Sequence, residues 1–444
     1  MTKVTLINRF GDKWGFIHVS VLLALGVCLL ALPGCQHRDP GISLQSGVAA
    51  FNKGDFPSAV TDFSQIIELD PNNAKAFFWR GVAYDGEGDH DKAITDLSHA
   101  ILLNPKFANA FTCRGRAHHA LGEYDMAIAD FSQAILFNPK DAQAYEFRSA
   151  AYSVKREYDK VMADANEAIR LDPKLAFAYA YRGAAFLGLG EYDKAIVDLS
   201  QAIQLDPKLA MAYANRGSAY ARKGDDVESI QDFSQVILLS TKYAAFAYAE
   251  RGSVYLHQGD YGKSIADCSQ AILIDPKQAL AYDVRSDAYR QTGDYDKAIA
   301  DGSQAVQFAP NLALAYYNRG IAYELKGDYA KAVADYSQMI PLDPNFAMGY
   351  NDFAWLMATC PQAPFRDGRK AVEYATKACE LTQWKEPFPL GTLAAACAEE
   401  GDFENAVKWQ KQQLENHGLS ASDIPAAISR LALYMTHHPY HTDK

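Results

Sequence analysis

At 444 residues the chain is too long for one ordinary hydrophobic core, and domain-size arguments alone expect about two to four compact units unless the sequence repeats. Hydrophobic residues make up 49%, with Gly and Pro near average, which excludes a disordered or collagen-like class. The net charge of −11 argues against nucleic acid as a partner, because phosphate recognition needs clustered Lys and Arg.

Residues 1–32 stand apart. Lys3, Arg9 and Lys13 precede an apolar run from Phe16 to Leu32, the charged and apolar regions of an export signal. The run is short for a spanning helix and ends at Leu32-Pro33-Gly34-Cys35 without a basic stop-transfer flank. This resembles the lipobox of bacterial lipoproteins, with Pro33 where the family usually has another residue. The resemblance implies a signal peptide over 1–34 cut before Cys35, with a diacylglycerol on the sulfur, acylation of the freed amine, and a short linker over 35–39. Several acyl chains on one residue hold a protein on a membrane where one chain anchors only marginally. Ordinary signal cleavage and an uncleaved anchor are the alternatives. Gln36 follows the Cys where an Asp would direct inner-membrane retention, so the implied location is the cell envelope, at the periplasmic face of the outer membrane. Loss of 1–34 moves the net charge from −11 to −13.

Beyond the signal, Pro71, Pro105, Pro139, Pro173 and Pro207 recur every 34 residues, and Pro276, Pro310 and Pro344 continue the series after Thr241 and one inserted residue. Within each period, apolar and small residues recur three and four apart on both sides of a glycine such as Gly190, which gives two amphipathic helices joined by a turn with φ > 0. The pattern resembles the tetratricopeptide repeat. It implies an all-α fold, a right-handed superhelical solenoid of about eleven helix-turn-helix units with a capping helix. Nine regular repeats occupy 40–346, two degenerate ones 347–419, the capping helix 420–436 and a tail 437–444. Arg156 replaces a turn glycine and His118 an aromatic residue. In the degenerate part, helices are expected at 369–382, 390–400, 403–416 and 424–435. The stretch from Ala354 to Tyr440 is similar to a C-terminal block of many bacterial repeat proteins and adds no chemistry.

Beyond Cys28 and Cys35 the thiols are Cys113, Cys268, Cys360, Cys379 and Cys397, an odd number without metal spacing. Cys113, Cys268 and Cys397 fall in helical slots where neighbouring repeats carry apolar residues, so they read as core. Eight repeats place an Arg on the first helix and an Asp sixteen residues later on the second, among them Arg80 and Asp96, Arg182 and Asp198, Arg216 and Asp232, and Arg319 and Asp335. Antiparallel helices can join them, and a guanidinium fork suits a carboxylate, so structural ion pairs are expected rather than a stripe for anionic ligands.

In the family the first helices line a concave groove for protein or peptide partners. Carried over, the groove includes Phe78 and Tyr317 and an apolar series at the second position of five first helices: Phe177, Met211, Phe246, Leu280 and Leu314. These side chains either seal joints between repeats or form a track for an amphipathic helix or apolar peptide. Acidic Asp283, Asp287 and Glu324 beside them favour a partner with basic residues. The Lys and Asn of the family's carboxylate clamp are absent: the slots hold pairs such as Thr112 and Arg116, Glu146 and Ala150, or Asp283 and Asp287. No P-loop, GxSxG or HExxH occurs, the Ser-Gln pairs read as packing, and His437, His438 and His441 lie in the tail. The expectation is a membrane-anchored scaffold, not an enzyme, with no cofactor and no metal. The alternative is a groove carrier of small molecules, peptides or polysaccharide; the uneven scatter of Phe78, Tyr181 and Tyr317 argues against polysaccharide, which favours aromatics stacked along the groove.

Overall fold

The computed structural model describes residues 43–442. The signal segment, the lipobox and Cys35 lie outside the described residues. The described chain forms two compact units divided between Leu239 and Ser240, each a stack of antiparallel helical hairpins, with no strand among the described residues.

The first unit pairs α1 (Leu44–Asn52) with α2 (Phe56–Leu69), α3 (Ala74–Glu87) with α4 (His90–Leu103), α5 (Ala108–Ala120) with α6 (Tyr124–Phe137), α7 (Ala142–Val154) with α8 (Tyr158–Leu171), α9 (Ala176–Gly188) with α10 (Tyr192–Leu205), and α11 (Ala210–Lys223) with α12 (Asp226–Leu239). The second unit pairs α13 (Thr241–His257) with α14 (Tyr261–Ile274), α15 (Ala279–Gln291) with α16 (Tyr295–Phe308), α17 (Ala313–Lys326) with α18 (Tyr329–Leu342), α19 (Ala347–Thr359) with α20 (Gly368–Leu381), and α21 (Pro387–Glu400) with α22 (Phe403–Glu415). The capping helix α23 (Ile424–Met435) follows.

Local chemistry sets these boundaries. At the end of α10, the carboxylate of the C-cap residue Asp206 accepts the Lys208 amide at 3.0 Å, across Pro207, which cannot continue a helix. The same Asx turn recurs after α8 and α14 through Asp172 and Asp275. Asp89, Asp260, Asp294 and Asp328 each cap the following second helix by accepting the amide three residues on. Within hairpins the turn residue sits at positive φ, as at Gly190 (φ 79°). Arg156 takes the same conformation, φ 58°, and makes the same pair of backbone bonds, Arg156 N to Ser153 O and Glu157 N to Tyr152 O.

The helices approach through size-matched contacts. A Cβ on Gly183 would lie 2.7 Å from Leu199 Cγ, and one on Gly302 would lie 2.9 Å from Arg319 Cβ. Glycine on the first helix faces a large residue on the second, as in Gly115 against Phe131 or Gly320 against Tyr336. Where the first helix carries fully buried Ser149 or Ser286, the residue sixteen positions on shrinks to Ala165 or Gly302, and the hydroxyl donates to a carbonyl across the hairpin, Val161 O or Ala298 O.

Successive first helices touch one another, α5 with α7 and α7 with α9, α13 with α15 and α15 with α17, whereas each second helix packs mainly on first helices. The first-helix row is therefore the closely packed inner side of each unit. Between α17 and α19 the rings of Tyr317, Tyr336 and Phe353 fill a wider joint.

Three departures from the sequence expectations have simple causes. Helix α13 has 17 residues and begins at Thr241, because no proline breaks the link there, and the division between units falls at this point inside the regular array. Helix α21 begins at Pro387, three residues before the expected Leu390, because proline is tolerated in a first turn where its missing N–H has no partner to lose. The tail folds back: Thr442 donates its amide and hydroxyl to Thr359 O at 2.8 and 3.0 Å, His441 pairs with Glu399 at 2.7 Å, and Arg430 lies over the rings of Trp355 and Tyr440.

Because a side chain at positive φ is strained, Arg156→Gly is expected to stabilise the first unit by about 1 kcal/mol. Hydrogen exchange of the α7 and α8 amides checks it, and unchanged or faster exchange would contradict the assignment.

Candidate functional site

Each of the eight first-helix arginines meets its aspartate through two parallel bonds, Nε to Oδ2 and Nη2 to Oδ1, at 2.6–2.9 Å. In seven of them the third nitrogen reaches back sixteen residues to the preceding hairpin. Arg80 Nη1 meets Ser64 Oγ at 3.1 Å, Arg216 meets Ser200 at 3.0 Å, and Arg182 meets Asn166 Oδ1 at 2.6 Å. Ser64, Ser132, Ser269 and Ser303 donate their own protons to the carbonyl four residues earlier, which leaves a lone pair for the arginine. Each guanidinium also lies 5.4–5.8 Å from the centre of the aromatic ring three residues before it, as Arg216 does over Tyr213. The recurring Ser slot thus receives the arginine of the next hairpin. The Ser-Gln pairs that read as packing in the sequence are thus bonded across hairpins.

In the pair Arg216 and Asp232 the side chains are 19% and 5% exposed. The bond to Asp232 pushes the Arg216 guanidinium further up, while burial pulls the Asp232 carboxyl upward against the arginine. Two bonds of 2.8 Å favour the charged state of both groups.

The candidate partner-contacting residues divide. Phe78, Met211, Leu280 and Tyr317 are less than a tenth exposed. Phe78 packs on Phe107 and Trp79, and Tyr317 donates its hydroxyl to Asp352 at 2.7 Å. Of the apolar series, buried Met211 and Leu280 favour the joint-sealing reading, and Phe78 and Tyr317 are likewise covered. Phe177, Phe246 and Leu314 stay partly exposed.

What the inner face does present is polar. In unit 2, Asn318 donates to Asp283 at 2.9 Å, linking α17 to α15, and Tyr317 with Asn351 holds Asp352. Tyr336 donates to Glu324 at 2.8 Å, and Arg290 pairs with Asp287. Of these carboxyl groups, Asp287 is paired with an arginine, and the other three are held by neutral donors. Arg290 Nε and Asn351 Oδ1 are buried without a partner. Burial pushes the Asp283 carboxyl up to about 7 despite its bond from Asn318, and pushes Glu324 to about 7 likewise. In unit 1, α9 and α11 carry short Ala180, Ala184, Ala214 and Ser218 on this side, and α7 carries buried Glu146.

No nucleophile is poised among the described thiols: burial raises Cys113 to about 11 and Cys379 and Cys397 to about 12, and pushes Cys268 up further. Burial lowers His119 to about 4, so it is neutral. His437 stacks on Phe403 and His441 is engaged by Glu399, so neither is a free tail ligand. Among the described residues no group of three His, Cys, Asp or Glu is arranged to hold a metal ion, and no helix is long and apolar enough to cross a membrane.

Arg216→Met, which strands Asp232, is expected to cost about 3–5 kcal/mol, and adding Asp232→Asn should restore part of that. Denaturant unfolding read with local hydrogen exchange measures the coupling, since an array need not unfold in two states. Zero coupling would return the arginines to candidate ligand contacts. A carboxyl whose folded value lies above its ordinary value contributes stability that is complete at low pH and is lost as pH rises through the folded value. For Asp283 that window runs from 3.8 to about 7. Asp283→Asn should therefore flatten the decline of unit 2 stability across this range and melt above the parent at pH 8. An identical pH profile would show that Asp283 is ionised throughout.

Tetratricopeptide-repeat models match residues 44–109, 108–141, 247–278 and 313–346, and a TPR-repeat model matches 185–224 and 287–327, together more than half of the chain. No curated protein matches the chain. Among solved structures, MamA is 29% identical, covering 37% of this chain and 96% of that one, with a TM-score of 0.34. Yeast Tom70 is 16% identical, covering 88% and 94%, with a TM-score of 0.42. A tetratricopeptide repeat protein from Parabacteroides merdae ATCC 43184 is 19% identical, covering 55% and 95%, with a TM-score of 0.44. With its 34-residue period, its stacked hairpins and these repeat matches, the chain belongs to the tetratricopeptide-repeat family, an all-α fold typical of protein–protein interaction.

Proposed function

We propose that the chain is a scaffold of the bacterial cell envelope, anchored by lipid on Cys35 and holding protein partners on the first-helix faces of its two units. One observation carries the partner-binding part: the first helices of unit 2 bring together Asp283, Asp287, Glu324 and Asp352, of which Asp287 is paired with a cation, Arg290. Such an excess of carboxylate favours a partner with basic residues, because charge complementarity steers encounter and selects among partners. An amphipathic helix or extended segment can add apolar contact at the partly exposed Phe177, Phe246 and Leu314. The anchor rests on the lipobox resemblance alone.

One experiment in cells addresses both parts. A photo-crosslinking residue replaces Ala184 or Asp287 on first helices, or exposed Val197 or Leu273 on second helices. The parent and Cys35→Ala are also labelled with a lipid alkyne. Discrete crosslinks confined to the first-helix positions, with lipid labelling lost in Cys35→Ala, are expected. Crosslinks only from Val197 or Leu273 would refute the face, and equal labelling of Cys35→Ala would refute the anchor.

A further inference from the structure

Glu146 is 7% exposed on the inner side of α7, and neither a hydrogen bond nor an ion pair reaches its carboxyl group. Every cation on its own helix and on the neighbouring first helices is committed elsewhere. Arg148 is bound to Asp164 and Ser132, Arg114 to Asp130 and Ser98, and Arg182 to Asp198 and Asn166. Arg116 meets Asp85 at 3.4 Å and lies over the Phe147 ring. On α5, His118 is held by Glu123 at 2.6 Å and His119 is neutral. The other nearby charges are anions with structural tasks: Asp141 accepts the Gln143 and Ala144 amides at the start of α7 and a bond from Thr112, and Asp172 accepts the Lys174 amide beyond α8. A buried carboxyl with no internal counter-charge and no hydrogen bond is costly in either protonation state, and such groups concentrate at binding sites. On the same face Ala150, Ala180 and Ala214 are buried and Ala184 is partly exposed.

We propose that Glu146 is the floor of a recognition slot on the first-helix face of unit 1, which takes one Lys or Arg side chain of a bound peptide segment. The carboxylate receives the ammonium or guanidinium. The slot deepens the partner-binding reading of this face and rests on it. Burial, with Asp172 adding to it, pushes the Glu146 carboxyl up to about 8. At neutral pH the empty slot therefore holds a proton, which the incoming cation expels. Binding then strengthens as pH rises toward 8, by about tenfold between pH 6 and pH 7.

The test uses the detergent-solubilised full chain and a phage-displayed random peptide library. Peptides selected on the parent are expected to share one Lys or Arg. Glu146→Gln, which keeps the side-chain shape, should weaken them by about 30-fold or more, as should norleucine in place of the basic residue, which leaves the protein untouched. The pH dependence should vanish in Glu146→Gln. Binders that lack a basic residue, or that bind Glu146→Gln and the parent alike at every pH, overturn the slot while leaving peptide binding by the face intact. Failure of the parent to select any peptide overturns the slot together with the reading on which it rests.

Discussion

The array depends on one guanidinium per repeat. All eight arginines stand sixteen residues before an aspartate and seven of them sixteen after a serine or asparagine, so these seven join their own hairpin and reach back to the one before. Aspartate and serine lie two residues apart on the second helix, as Asp198 and Ser200 do, one meeting its own first helix and the other the next. A planar fork with fixed donor directions accepts little slippage. The ladder therefore sets the register of neighbouring repeats as well as their attraction.

Packing inside each hairpin obeys a second constraint, constant volume across the contact. Gly183 faces Leu199 and Ser286 faces Gly302, so a change on one helix is offset on the other. Cys268 fits the same rule, since its sulfur lies 2.7 Å from where a Cβ on Gly252 would stand. Its thiol is a packing element, which accounts for a proton held above the ordinary range.

These two devices use the cations of the first helices on ion pairs and leave the inner faces short of positive charge. Glu146, Asp283 and Glu324 are buried acids whose ionisation the fold alone disfavours. Buried polar groups that lower stability tend to mark function, because a fold optimised for stability alone would replace them with apolar residues of similar volume. Unit 1 and unit 2 share this property on different residues, the first with a single unpaired carboxyl group, the second with a hydrogen-bonded network.

The sequence by itself determined the hairpins, because their causes are local: the period of apolar residues, the Asx turn before each proline and the positive-φ turn, including Arg156. It also placed each arginine opposite its aspartate, since a tight turn between antiparallel helices leaves few geometries. Which exposed-looking side chains would be covered could not be read there. Phe78, Met211, Leu280 and Tyr317 share a helical face with Phe177 and Leu314, yet only contact with the next hairpin decides which of them stay open. The partner of the recurring serine and the seating of His441 on Glu399 likewise join separate hairpins or distant residues. Charge isolation at Glu146 is the clearest case. A glutamate in a helix with arginines nearby reads as one of many solvated charges, and only the stacked structure shows that every neighbouring cation already has a partner.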